Sequence, residues 1–164
     1  MNEGRGMRGE GRGRVAPIRA VITAMLVAAV APVAAAAQEA AVHPYPVQLR
    51  DAWVRAQPSA AGMSVLYGTL SNESDNDLTI TDVRCERVRR AEIHETVMEN
   101  DMVRMRRIPE LRLARGASVE LRPGGLHLML MGLEAPLLPG ESVRCLFLAG
   151  ATLVARVVGT VRAP

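Results

Sequence analysis

Four residues in the middle of this chain share one kind of donor chemistry. His94 is followed after ten residues by Met105, and after twenty-one more by the segment His127-Leu128-Met129. The stretch from His94 to Met131 holds two of the chain's three histidines and five of its nine methionines. Imidazole nitrogen and thioether sulfur are neutral, fairly soft donors. They suit Cu(I), whereas Mg²⁺ and Ca²⁺ take oxygen ligands. Structural zinc wants cysteines or more histidines at short paired spacings. A blue-copper electron carrier needs a thiolate with a histidine close after it, and Cys145 is followed by Leu-Phe-Leu-Ala-Gly. The chain contains no serine-nucleophile motif, no HExxH and no phosphate-binding glycine loop, so the expectation is a binding protein and not an enzyme. Methionine also fills gaps in cores. By residue type alone, Met98, Met102 and Met131 suit a core as well as a metal.

Donors so far apart in the chain converge only if the intervening segments fold back on one another. Short runs of alternating or β-branched residues occur at 47–55, 63–70, 78–85, 91–98, 102–108, 117–121, 126–131, 141–149 and 152–161. Turn formers separate them: Ser71 to Asp77, Glu99-Asn100-Asp101, Pro123-Gly124-Gly125 and Gly150. No stretch sustains a helical period, and the pattern predicts an all-β sandwich or barrel. Residues 109–116 read as a connection. In 126–131 the leucines fall on one face and His127, Met129 and Met131 on the other. His94 and Met105 lie on the two arms of the hairpin expected around Asn100. If that hairpin lies beside the 126–131 strand, the four donors meet.

The 164 residues suffice for one domain. Aromatics are limited to Trp53, Tyr45, Tyr67 and Phe147, so the core must rest on Val, Leu, Ile and Ala. The basic pI of 9.5 comes from the N-terminus: Arg5, Arg8, Arg12, Arg14 and Arg19 precede residue 38, after which fifteen Arg balance fifteen Asp plus Glu. That balance offers no electrostatic case for nucleic acid. Residues 21–37 are uncharged and apolar and end in Ala35-Ala36-Ala37. A basic segment, an apolar run and a small-residue site make a secretory signal peptide over residues 1–37, cleaved after Ala37. A flexible lead-in over 38–46 and a domain over 47–164 follow. No Arg-Arg pair precedes the apolar run and no cysteine follows it, which argues against the twin-arginine route and a lipid anchor. The product is expected in the periplasm, free of the membrane. Cys85 and Cys145 could pair in that oxidising compartment or sit as two small buried apolar residues.

The pattern His94-x10-Met105-x21-His127-x-Met129 resembles the signature of the periplasmic PCu(A)C copper chaperones. The flanking segments AEIHETVMEN and LRPGGLHLMLMGLEAPLLPGESV extend the likeness, which covers about residues 47–161. The resemblance implies a cupredoxin-like Greek-key β-sandwich. It implies Cu(I) held by His94, Met105, His127 and Met129. It also implies delivery of copper to the CuA centre in subunit II of cytochrome c oxidase, alongside Sco-type thioredoxin-like proteins. Two departures are visible. Members often carry glycine at the hairpin turn, where this chain has Asn100-Asp101, and the His/Met-rich C-terminal tail of some members is missing from this sequence. A copper-buffering or tolerance protein without a dedicated acceptor, and a secreted β-sandwich interaction module, are the alternative readings of the same features.

Overall fold

The computed structural model describes residues 44–60 and 62–163. The expected signal peptide and most of the lead-in lie outside the described residues. Eleven strands follow one another: β1 (Val47–Arg55), β2 (Met63–Asn72), β3 (Leu78–Ile80), β4 (Asp82–Cys85), β5 (Val88–Glu99), β6 (Met102–Arg107), β7 (Leu111–Leu113), β8 (Ser118–Leu121), β9 (Leu126–Leu133), β10 (Ser142–Ala149) and β11 (Thr152–Arg162). The main sheet runs β1-β11-β10-β4-β5-β9-β2-β8, and β1 also pairs with β2, which closes the ring. Closure removes open edges over most of the sheet, which limits edge-to-edge aggregation. The β1–β11 pairing is parallel, with Trp53 opposite Thr160, and the other described strand pairs are antiparallel. The all-β expectation holds.

Period-two alternation builds the interior. Val143, Cys145 and Phe147 of β10 point inward with Val157 and Val161 of β11 and Leu66 and Leu70 of β2. In β9, Leu128 and Leu130 are both 0% exposed, as the alternation of 126–131 requires. Gly132 has φ of 66° and interrupts that alternation, so Leu133 is the next buried residue. On the other side of the ring β1 carries a bulge between Arg50 and Trp53, with Asp51 at φ 55°. The bulge presses the Arg50 carbonyl onto Gly68, where an added Cβ would stand 2.7 Å from that oxygen. Only glycine fits there.

Two elements differ from the expectation. The run 78–85 is not one strand. Ile80 and Val83 are both buried although three residues apart, and a strand in one sheet cannot turn both inward. The chain therefore changes sheets at Thr81, whose N–H donates to the Leu148 carbonyl. β3 pairs with β7 in a separate two-stranded sheet, and β4 enters the main sheet between β10 and β5. β7 lies within the expected 109–116 connection. Its alternation, Leu111 and Leu113 buried around exposed Arg112, is only three residues long and too short to stand out in sequence. The cysteines also resolve. Cys85 of β4 lies directly opposite Cys145 of β10, and the two form a disulfide.

The strand phase of β9 carries a direct test. Leu130→Ala should destabilise the fold by about 2–5 kcal/mol, because it opens a cavity in a fully buried site. Met129→Ala, on the opposite face, should leave the metal-free protein nearly as stable as wild type. Urea unfolding of the two variants measures both, and equal losses would mean that both side chains support the core.

Candidate metal centre

Three local devices place the donor side chains. The first is the β5–β6 hairpin. Its two-residue turn, Asn100-Asp101, has φ of 51° and 59°, the positive values that a type I′ turn demands and that Asn and Asp tolerate. The turn sets the register Thr96↔Met105 and His94↔Arg107. Opposed residues share a face, so Met105 stands one step diagonally from His94 on the same side. The other face carries the cross-strand ion pair Glu95–Arg106 at 2.9 Å. The glycine often found at this turn is thus replaced by two residues of equivalent conformation.

The second device is the β5–β9 register. It sets His94 directly opposite His127 and Glu92 opposite Met129. The two imidazole rings lie 6.1 Å apart between centroids. Two imidazoles sharing a metal at metal–nitrogen distances of ~2.0 Å place their centroids no more than roughly 6.3 Å apart, and the observed separation lies within that limit.

The third device is the turn before β9. Pro123 and Gly124, the latter at φ 71°, follow Arg122, and Gly125 N–H closes back on the Arg122 carbonyl at 3.2 Å. Proline then glycine with positive φ is the signature of a type II turn. It aims the Gly125 carbonyl at β5 and β9 together. That oxygen accepts from Thr96 N–H at 3.1 Å and from His127 Nδ1–H at 2.9 Å. His127 is held with Nδ1 as donor, which leaves Nε2 with the free lone pair.

His127, Met105 and Met129 line one cavity of about 260 Å³, together with Met63, Val65 and Tyr67 from β2. His94 does not line it. Its ring is largely buried beside the cavity, with Nε2 donating to the Glu92 carboxylate at 3.0 Å. Its Nδ1 is buried and has no hydrogen-bond partner among the described residues. Exposure is uneven across the set: Met105 is 62% exposed and His127 5%. Met105 is thus open to solvent and His127 is not.

The remaining methionines separate by position. Met98 and Met102 are exposed, so neither fills a core gap. Met102 sits opposite Glu99, on the face of the hairpin away from Met105. Met131 receives the Arg90 guanidinium on its sulfur at 3.8 Å.

Glu92 is the neighbour that residue-type reasoning missed. One of its oxygens meets the Arg90 and Arg107 guanidinium nitrogens at 3.5 and 3.4 Å, and the other meets His94. The His94 hydrogen bond, aided by Arg107 and Arg90, holds its carboxyl below the usual carboxylate range against the opposing effect of burial. A depressed carboxyl contributes stability at neutral pH and loses it as acid protonates the group. The signal was present in the sequence: Glu92 precedes His94 by two, so on a strand the two share a face. No group of three His, Cys, Asp or Glu side chains that could hold a metal occurs among the described residues.

A family model described as "Putative lipoprotein LpqE-like" matches residues 47–151. The chain belongs to the LpqE-like family. This LpqE-like chain is 33% identical over 98 residues to "Putative lipoprotein Lxx21020" of Leifsonia xyli subsp. xyli, a match over 59% of this chain and 58% of that protein. Among solved structures it is similar to the Cu(I) form of DR1885 from Deinococcus radiodurans, with 31% identity, a TM-score of 0.58, and coverage of 77% of this chain and 85% of that one. The copper-bound PCuAC domain of PmoF2 is similar in fold, with 19% identity, a TM-score of 0.55, and coverage of 73% of this chain and 94% of that one. The resemblance to PCu(A)C domains and the cupredoxin-like sandwich expected from it are both borne out.

Proposed function

We propose that this LpqE-like protein is an exported Cu(I)-binding chaperone whose ligands are His94, Met105, His127 and Met129. The observation that carries the reading is the register of β5 on β9. It opposes two histidines whose available nitrogens, Nδ1 of His94 and Nε2 of His127, have no hydrogen-bond partner among the described residues. Met105 and Met129 stand on the same face, in the wall of the cavity that His127 lines. Two imidazoles and two thioethers are neutral and soft, and such a set favours Cu(I) over Cu(II). Outside the cytoplasm thiolates are lost to disulfides, as Cys85 and Cys145 are here, whereas thioether and imidazole remain available. Similarity to a Cu(I)-loaded protein at 31% identity supports the same cargo.

Release is as much a part of the reading as capture. Met105 is the exposed ligand on a hairpin whose strand β6 is exposed at every residue. An acceptor can displace this thioether first while the buried His127 still holds the ion. By family resemblance the acceptor is the CuA domain of cytochrome c oxidase subunit II, with a Sco-type protein acting alongside. Export rests on the apolar segment 21–37, and the relative's description as a lipoprotein supports an exported product. Mass spectrometry of exported protein should find an N-terminus at Gln38. A full-length species retained in the membrane would defeat that expectation.

Cu(I) titration under reducing conditions, with X-ray absorption at the copper edge, tests the reading. One equivalent should bind with two nitrogen and two sulfur neighbours. Failure to bind Cu(I) would leave an interaction module. Transfer of copper to a purified CuA domain should then proceed, and binding without transfer would mark a copper buffer.

A further inference from the structure

We infer that Glu92 is a positioning residue that makes His94 a copper ligand through Nδ1, so that the two histidines present opposite ring nitrogens to the metal. The inference rests on the copper reading above and adds to it which atoms bind and what holds them.

The hydrogen bonds dictate where the protons sit. An ionised carboxylate only accepts. His94 Nε2 lies 3.0 Å from Glu92 Oε2 and therefore carries the hydrogen, and in the neutral ring the lone pair is on Nδ1. That atom is buried without a partner, and it is the one such side-chain nitrogen or oxygen among the described residues. Folded proteins pair their buried polar atoms, and an orphan calls for a partner that the surrounding side chains do not supply. A metal ion supplies what the lone pair lacks. His127 is arranged the other way round: its Nδ1–H goes to the Gly125 carbonyl, leaving Nε2 for the ion.

Glu92 has charged neighbours of its own. Arg90 and Arg107 hold one oxygen from either side, and His94 occupies the other. Arg107 is the cross-strand partner of His94, and Arg90 lies two residues before Glu92, so both clamps come from the strands that carry the site. Glu92 also shares a face with Met129, close to the donor set without joining it. A hard carboxylate oxygen is a poor Cu(I) donor. Its use is to fix the imidazole and raise its basicity, as carboxylates behind metal-bound histidines do.

Cu(I) is diamagnetic, so ¹⁵N spectra of the histidine rings read the ligating atom directly. In metal-free wild-type protein the His94 hydrogen should be on Nε2 and the His127 hydrogen on Nδ1. On adding Cu(I), the large shift should fall on Nδ1 of His94 and on Nε2 of His127. Glu92→Ala should lower Cu(I) affinity by about 10–100-fold, the usual cost of losing such a partner, and should release His94 to bind through either nitrogen. Glu92→Gln keeps an oxygen that accepts from Nε2–H and should retain most of the nitrogen selectivity. A merely structural role would lower the unfolding temperature without changing which nitrogen binds. Ligation of wild type through Nε2 of His94 would overturn the inference, as would unchanged affinity and selectivity in Glu92→Ala. If Glu92→Ala does not fold, the wild-type assignment and Glu92→Gln decide. Wild-type protein that takes up no Cu(I) would sink the copper reading and this inference together.

Discussion

Replacing Met105 and Met129 together by alanine should remove both sulfur neighbours from bound copper and turn the protein's preference from Cu(I) towards Cu(II). Thioethers are the only soft donors in the proposed set, and the remaining imidazoles serve either oxidation state. Each of the four single alanine variants should lower Cu(I) affinity by more than about 100-fold, the upper end for losing an outer partner of a ligand. His127→Ala should be the most severe, because His127 is the most buried of the four candidate ligands and its ring is pre-set by the Gly125 carbonyl. Met98→Ala, Met102→Ala and Met131→Ala should change affinity little. Met102 faces away from the site and the Met131 sulfur is engaged by Arg90. The readout is the sulfur count at the copper edge in each variant. Two sulfurs persisting in the Met105/Met129 double variant would assign the metal to other residues.

The double variant Cys85→Ala/Cys145→Ala should lose about 4 kcal/mol of stability. The bond closes a loop of sequence separation 60, and the chain-entropy relation for cross-links gives a stabilisation of that size. It also joins β4 to β10 next to the change of sheets at Thr81, where β4 meets β5 through the pairing of Val83 with Ala91. Copper affinity should change far less than stability, because β5, β6 and β9 pair directly with one another. Urea unfolding with the bond intact, reduced and deleted measures the first effect, and Cu(I) competition measures the second. A loss well below this figure would mean that the denatured chain already holds these segments close.

The strength of the donor signal came from chemistry that needs no third dimension. Residue type decides softness, and period two decides that His127 and Met129 leave β9 on the side opposite Leu128 and Leu130. The turn residues Asn100-Asp101 and Pro123-Gly124 were likewise legible, because positive φ is a local preference. The strands that failed were those whose limits are not local. The division of 78–85 follows from Ile80 and Val83 facing one core from two sheets, and neither residue advertises a sheet. β7 exists because β3 offers it a partner.

The site divides in the same way. Its four candidate ligands could be named from spacing and resemblance. Which strand lies beside which, and in what register, depends on pairings between residues as far apart as His94 and His127. A shift of one residue would turn the whole donor row to the other face. The disulfide was undecided for the same reason, since strand pairing alone brings residues 60 apart in sequence together. The state of each imidazole lies furthest from the sequence. It depends on a carbonyl oxygen aimed by a turn and on a carboxylate held between two guanidiniums. Composition, spacing and resemblance therefore named the kind of metal and its candidate donors. Only the packed sheet decided which nitrogens are left with a lone pair to offer it, because that choice is made by hydrogen bonds to groups that the fold brings alongside.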